Sequence, residues 1–182
     1  MRAKDLAQVA LLLAIGIVLH YIFPGVLFGM KPDLSLSMMF VILMVKRDRK
    51  LGFLVALATG IFTALTTTFP GGQLPNIIDK IITYFAVSGL IYLLMDRAND
   101  KLANNVLYDK IAAGVIMAVG TIISGVVFLT SALLIVGLPG PFMALFYGVV
   151  LPAALSNIVI GIIIYSIIKY SLGVMDKENV AA

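Results

Sequence analysis

Two short segments of the chain bring acids and bases together between apolar stretches. Residues 28–37 contain Lys31 and Asp33, and residues 66–80 contain Asp79 and Lys80. A carboxylate binds an ammonium group, whereas a lysine or a helix N-terminus binds a carboxylate. Two acids and two bases facing one pocket would therefore suit a zwitterion, of which a free amino acid is the simplest. The alternative is that each acid neutralises its neighbouring base or lies in water near the lipid headgroups.

The second segment predicts the start of a helix at Pro75, because proline suits the first helical turn. One side of the first two turns then carries four polar residues: Asn76, Asp79, Lys80 and Thr83. Asn76 is within reach of either Asp79 or Lys80. The free N–H groups and the positive dipole end of this helix would also hold a carboxylate.

Other candidate binding residues stand singly in apolar stretches. His20 could donate to a ligand or titrate, or it could be satisfied by water at the membrane surface. Asn157 should bond a ligand or, more simply, another helix, because an unpaired amide is costly there. Aromatic rings such as Phe69 and Tyr147 could stack on a flat ligand, although such residues more often belong to the core or to an interfacial belt.

The composition predicts an all-α integral membrane protein. Of 182 residues, 62% are hydrophobic and 12% are charged, whereas soluble domains carry roughly half apolar and about a quarter charged residues. At about 20 residues per span, six spans leave only short loops, so we expect one six-helix bundle over residues 1–182. The apolar runs and breakers place the helices at about 5–23, 34–45, 51–69, 75–95, 111–136 and 142–170.

The second helix is too short to cross a membrane. About 12 residues cover about 18 Å, against a hydrocarbon core of about 30 Å. If basic residues 46–50 hold one end at the cytoplasmic surface, Lys31 and Asp33 lie inside the membrane boundary. Irregular backbone is tolerated there only around protein or water, so we expect an outward-facing pocket. In the sixth helix, Pro152 frees the Gly148 carbonyl and permits a kink.

The distribution of basic residues predicts that both termini are cytoplasmic. The chain has 13 lysines and arginines and a formal charge of +4. One face collects most of them: Arg2, Lys4, Lys46, Arg47, Arg49, Lys50, Arg97, Lys101, Lys110, Lys169 and Lys177. The positive-inside rule makes this face cytoplasmic, so the net charge gives no support to nucleic-acid binding. The first apolar run continues to about Phe23 without an early small-residue cleavage site, so it is expected to remain as a span.

Several kinds of chemistry are excluded by residue type. The sequence has no cysteine and one histidine, which removes thiolate sites and multi-histidine metal sites. It also lacks the glycine-rich phosphate loop that precedes Lys-Ser/Thr in many ATPases. We therefore expect neither an enzyme nor a bound metal or cofactor.

Two helices carry small residues at spacings that keep them on one face. In the first helix these residues are Ala3, Ala7, Ala10 and Ala14, and in the third they are Gly52, Ala56, Gly60 and Ala64. Small residues let another helix approach closely in lipid. One face could serve internal packing and the other an external partner.

Three stretches closely resemble the bacterial tryptophan-transporter family: residues 27–34, 57–60 and 64–80, the last reading Ala-Leu-Thr-Thr-Thr-Phe-Pro-Gly-Gly-Gln-Leu-Pro-Asn-Ile-Ile-Asp-Lys. That family looks like a branch of the substrate-binding S components of energy-coupling-factor transporters. The resemblance implies a six-helix protein of the bacterial cytoplasmic membrane that takes tryptophan from outside. It also implies a T component and two ATPase subunits as partners. The Ala-x-x-x-Ala motif that contacts the T component matches Ala10 and Ala14, and Ala3 and Ala7 share its spacing.

With tryptophan as the implied substrate, the types of the polar residues suggest hypothetical roles for them. Asp33 or Asp79 would bind the substrate ammonium. Lys31, Lys80 or the start of the fourth helix would bind its carboxylate. The indole N–H would be bonded by one of three amides: Asn76, Gln73 or Asn157. Transport would follow from tilting of the subunit against its partner, powered by ATP elsewhere.

Two other functions are consistent with the residues. The chain could be a stand-alone secondary transporter of an aromatic amino acid, coupled to protons or sodium through His20 or an acid. It could also be a membrane scaffold or receptor that transports nothing.

Overall fold

The described part of the chain folds into a bundle of helices. The computed structural model describes residues 3–22, 33–97 and 105–181, and these contain helices and no strand. The helices are α1 (Ala3–Ile22), α2 (Leu34–Lys46), α3 (Arg49–Thr66), α4 (Gln73–Ile91, extended by a π-helical segment Tyr92–Asp96), α5 (Val106–Ile135) and α6 (Phe142–Leu145, a π-helical segment Phe146–Val150, then Leu151–Ala181).

Five of these helices are long and apolar enough to cross a membrane, and α2 is the shorter exception. The prediction of an all-helical membrane bundle is confirmed in this form. The prediction that the second helix is short is confirmed as well, because α2 has 13 residues.

Side-chain caps set helix starts that hydropathy alone placed too late. Asp48 accepts hydrogen bonds from the N–H groups of Lys50 and Leu51, so α3 begins at Arg49 and not at residue 51. Asn105 caps α5 in the same way, so that helix begins at Val106 and not at residue 111. A capping side chain satisfies N–H groups that would otherwise lack partners, and it does so upstream of the first apolar run.

The sixth helix departs from regular geometry close to Pro152. The π-helical segment Phe146–Val150 leads directly into the α-helical segment Leu151–Ala181, whose second residue is Pro152. Proline removes one backbone donor from the helix, and a π turn is a common way of absorbing such a disturbance near a functional site. The helix also runs well beyond the predicted end at residue 170.

Helix α2 forms the centre of the bundle. Every residue from Leu34 to Met44 is buried, and α2 packs against all five other helices. A helix that is apolar on nearly every side can be enclosed in this way. Its first turn therefore lies among the ends of its neighbours, at what we call the cavity end of the bundle, where α1 ends and α4 begins.

The two small-residue faces have different environments. On α3, Gly52, Ala56 and Gly60 are buried, and a Cβ atom on Gly60 would lie 3.2 Å from the Ile77 Cα atom of α4. On α1, by contrast, Ala7, Ala10 and Ala14 are exposed. The α3 face thus serves internal packing, whereas this part of the α1 face is uncovered.

Enlarging one residue on each face should separate these roles. Gly60→Leu forces apart the backbones of α3 and α4, and overpacking of this kind costs about 1–3 kcal/mol. Ala10→Leu adds its side chain to an uncovered surface. We therefore expect the thermal unfolding midpoint of the purified chain in detergent to fall with Gly60→Leu and to stay unchanged with Ala10→Leu. Equal midpoints for the two variants would contradict the assignment.

Candidate functional site

A cavity lies at the cavity end of the bundle, between α1, α2, α4, α5 and α6. Its empty volume is about 640 Å³, including the part that is open to the surroundings. The lining residues are His20, Asp33, Leu36, Thr67, Thr68, Phe69, Asn76, Asp79, Lys80, Thr121, Ser124, Gly125, Phe128, Val149, Val150 and Ala153. Six of the residues predicted from sequence are among them: His20, Asp33, Phe69, Asn76, Asp79 and Lys80.

The charged wall of the cavity is organised around Lys80, whose side chain is 2% exposed. Its ammonium group lies 2.7 Å from Oδ2 of Asp33 and also pairs with Oδ2 of Asp79. The sequence suggested separate Lys31–Asp33 and Asp79–Lys80 pairs, but Lys80 serves both acids. Lys31 lies outside the described residues. On the other side of Asp33, Nδ1 of His20 lies 3.3 Å from Oδ1.

The short central helix brings Asp33 to this cluster. Asp33 is the N-cap of α2, and its Oδ1 atom accepts hydrogen bonds from the N–H groups of Ser35 and Leu36 at 3.1 and 3.3 Å. Because α2 begins inside the bundle, its capping carboxylate meets the second turn of α4 and not the solvent. One residue therefore fixes the helix start and supplies a wall of the cavity.

Asp79 is held by donors from two helices. Oγ1 of Thr83 donates to its Oδ1 atom at 2.9 Å, and Oγ of Ser124, on α5, donates to its Oδ2 atom at 2.9 Å. Together with Lys80, these donors satisfy both oxygens of a carboxylate whose side chain is 1% exposed. Burying a charged group without such partners would be strongly unfavourable.

Asn157 bonds neighbouring helices, which is one of the two alternatives predicted for it. Its Nδ2 atom donates to Oγ1 of Thr121 at 3.0 Å and to the Asp33 carbonyl oxygen at 3.4 Å. Asn157 is fully buried and does not line the cavity. It instead connects α6 to α5 and to the start of α2, where it bonds the backbone of Asp33 and not its side chain.

Three other predicted residues do not have the expected surroundings. Asn76 pairs with neither Asp79 nor Lys80, because its Nδ2 atom donates to the Gly72 carbonyl oxygen at 2.8 Å, where it closes the first turn of α4. Gln73 is exposed and lies outside the cavity lining. Tyr147 is 64% exposed and also lies outside it.

The aromatic side of the cavity is formed by Phe69 and Phe128, whose rings meet edge to face with centroids 5.4 Å apart. Phe69 was predicted, whereas Phe128 was not. The nearby aliphatic residues Val149, Val150 and Ala153 come from α6. A cavity with charges on one wall and apolar rings on another can hold a molecule that is charged at one end and flat and apolar at the other.

Several lining residues were missed from the sequence: Leu36, Thr67, Thr68, Thr121, Ser124, Gly125, Phe128, Val149, Val150 and Ala153. Thr121 and Ser124 carry a usable signal, because two hydroxyl residues three positions apart share one face of an apolar helix. The aliphatic residues carry no such signal, since apolar residues fill every helix of this chain.

Removing the shared lysine should destabilise the protein far more than removing an exposed one. Lys80→Met leaves two buried carboxylates without their cation, and breaking a buried pair costs about 3–5 kcal/mol. Lys169 pairs with Asp109 at 2.8 Å but is 53% exposed, so Lys169→Met should cost about 0–1 kcal/mol. The measurement is the thermal unfolding midpoint of both variants in one detergent. A similar small shift for both would show that Lys80 does not hold the cluster together.

Comparison with known proteins matches the whole length of the bundle. The family model of the tryptophan transporter TrpP matches residues 2–173. The chain is 46% identical to a probable tryptophan transport protein of Clostridium acetobutylicum over 178 residues, 98% of this chain and 99% of that protein. It is 49% identical to one of Bacillus subtilis over 170 residues, 93% of this chain and 92% of that protein. No solved structure matches.

These relatives are transport proteins and not enzymes. With several helices capable of spanning a membrane, the chain is a multi-pass protein of the bacterial cell membrane. It belongs to the tryptophan transporter family.

Proposed function

We propose that this protein is the membrane subunit that binds tryptophan from outside the cell for uptake. The observation that carries the proposal is the cavity, which places the charged cluster around Lys80 near the rings of Phe69 and Phe128. Tryptophan is a zwitterion joined to a flat indole ring, and these two walls offer a partner to each part. The family membership supports the same substrate.

The proposed arrangement in the membrane is a single domain over residues 1–182, with six crossings and both termini in the cytoplasm. The short helix α2 counts as one of the six crossings. Among the described residues, Lys80 is the single lysine or arginine at the cavity end, and the opposite end holds Lys46, Arg47, Arg49, Lys50, Arg97, Lys110 and Lys169. By the positive-inside rule the cavity then faces outward.

The roles proposed within the cavity follow the chemistry of each wall. Asp33 or Asp79 binds the ammonium, and Lys80 binds the carboxylate, together with Lys31 or the start of α4. Asn76 remains a candidate for the indole N–H because it lines the cavity. The rings of Phe69 and Phe128 flank the indole by edge or face contacts.

The proposed transport cycle uses a T component and two ATPase subunits, as in energy-coupling-factor transporters. The uncovered face of α1 supports it: Ala7, Ala10 and Ala14 are exposed on a mostly apolar helix, and Ala3 begins the same helix. Small residues permit close approach of a partner helix. In this cycle the subunit tilts against the T component while ATP is hydrolysed elsewhere.

A second candidate is a stand-alone transporter coupled to protons. It is favoured by one contact, the 3.3 Å approach of His20 to Asp33 at the cavity, because histidine titrates near physiological pH. Tryptophan uptake into vesicles that contain the purified chain alone under an imposed proton gradient would support this candidate and overturn the energy-coupling-factor proposal.

Tryptophan should stabilise the purified chain more than any other of the twenty amino acids. A ligand that binds only the folded state raises its stability by about 2.7 kcal/mol at a hundredfold excess over its Kd. The measurement is a thermal-shift panel of the twenty amino acids, each at the same concentration. An unchanged midpoint with tryptophan would overturn the proposed function.

Ala10→Leu should weaken association with a T component while it leaves tryptophan binding unchanged, because Ala10 lies outside the cavity. The measurement is copurification of the variant with its coexpressed T component and ATPases, compared with Ala14→Leu and with Leu134→Ala, an exposed residue on α5. Undiminished copurification of both alanine variants would argue against α1 as the partner surface.

A further inference from the structure

We infer that the two acids of the cavity have different roles: Asp33 contacts the substrate ammonium, and Asp79 is a positioning residue that holds Lys80. This inference rests on the proposed function, which leaves the choice between the two acids open.

Asp79 is enclosed by donors from its own helix and from α5, which fill three of its roughly four acceptor positions. Its Oδ1 atom accepts the Thr83 hydroxyl, and its Oδ2 atom accepts both the Ser124 hydroxyl and the Lys80 ammonium. Its side chain is 1% exposed. A ligand ammonium that displaced one of these donors would leave it unpaired in a buried site, which costs about 1–3 kcal/mol.

Asp33 has more room. Its side chain is 17% exposed, the largest value among the three charged residues of the cluster. Its Oδ1 atom is fixed by the start of α2, whereas its Oδ2 atom lies 2.7 Å from the Lys80 ammonium. A carboxylate oxygen accepts two hydrogen bonds. The Asp33 carboxylate is therefore held rigidly and can still accept a further donor from the cavity.

The charge of the cluster also favours an added cation. Asp33 and Asp79 share the one ammonium of Lys80, which leaves one formal negative charge among these three residues. A buried charge is stabilised when it is paired, and a substrate ammonium gives Asp33 a cation that it does not share with Asp79. Lys80 then stays with Asp79, which keeps it in place at the cavity wall.

A cycle of variants and ligands tests this division. Tryptophan and indole-3-propionate differ by the amine, and their Kd values would be measured by calorimetry on the wild-type chain, Asp33→Asn and Asp79→Asn. Asparagine is also a good helix cap, so Asp33→Asn should preserve the start of α2. Asp109→Asn, at the opposite end of the bundle, is the matched control.

We expect the contribution of the substrate amine to binding to depend on Asp33 and not on Asp79. Residues in direct contact show interaction energies equivalent to roughly 3-fold to 100-fold in Kd. We expect the ratio of the Kd of indole-3-propionate to the Kd of tryptophan to be at least about tenfold smaller in Asp33→Asn than in wild type. In Asp79→Asn and Asp109→Asn this ratio of Kd values should equal the wild-type ratio, although Asp79→Asn binds both ligands more weakly. Coupling of the amine to Asp79, or to neither acid, overturns the inference.

Ser124→Ala gives a second measurement that changes no charge. Loss of the Ser124 hydroxyl removes one donor from Asp79 and so loosens Lys80. The Kd values of tryptophan and indole-3-propionate should therefore rise by the same factor. A selective loss for tryptophan would place the ammonium at Asp79 and overturn the inference while leaving the proposed function intact. A wild-type chain that binds neither indole compound would instead overturn the proposed function itself.

Discussion

The burial of the Lys80 ammonium between two carboxylates is the constraint on which the rest of the structure depends. Moving an ion out of water carries an effective penalty of several kcal/mol even after relaxation, so Lys80 is tolerable only with close partners on both sides. Asp79 comes from its own helix, but Asp33 comes from the start of α2. The central helix must therefore begin inside the bundle, which explains why it is short and why a cavity opens above it.

The same constraint determines which polar residues the other helices carry. Helix α5 supplies Ser124 to Asp79, and Thr121 to Asn157, which in turn bonds the carbonyl oxygen of Asp33. Helix α1 contributes His20 beside Asp33 at the cavity end, and at the opposite end Lys46 of α2 pairs with Asp5 of α1 at 2.8 Å. Helix α1 thus touches the cluster on its inner side, while its alanine face remains available to a partner on its outer side. One helix therefore carries both a residue of the proposed substrate site and the proposed partner surface.

Much of this site was predictable because ionisable residues are rare in an apolar chain. The composition and spacing were enough to select His20, Asp33, Asp79 and Lys80 and to predict a short second helix near them. The pairing was not predictable, since the choice between Lys31 and Lys80 as the partner of Asp33 depends on how α2 and α4 pack. Local competition explains Asn76, whose amide closes its own helical turn. The aliphatic wall from α6 left no trace in the sequence, because aliphatic residues are found on every helix.

Protection of the cavity by tryptophan is the most direct test of the central claim that this charged cavity holds the substrate. The chain has no cysteine, so a single introduced thiol reports on one position. Thr68→Cys places a thiol on the cavity lining, and Leu74→Cys places one on an exposed residue outside it. The account predicts that tryptophan slows labelling of the Thr68→Cys variant by a membrane-impermeant maleimide and leaves the Leu74→Cys variant unaffected. Equal labelling rates for the Thr68→Cys variant with and without saturating tryptophan would contradict it.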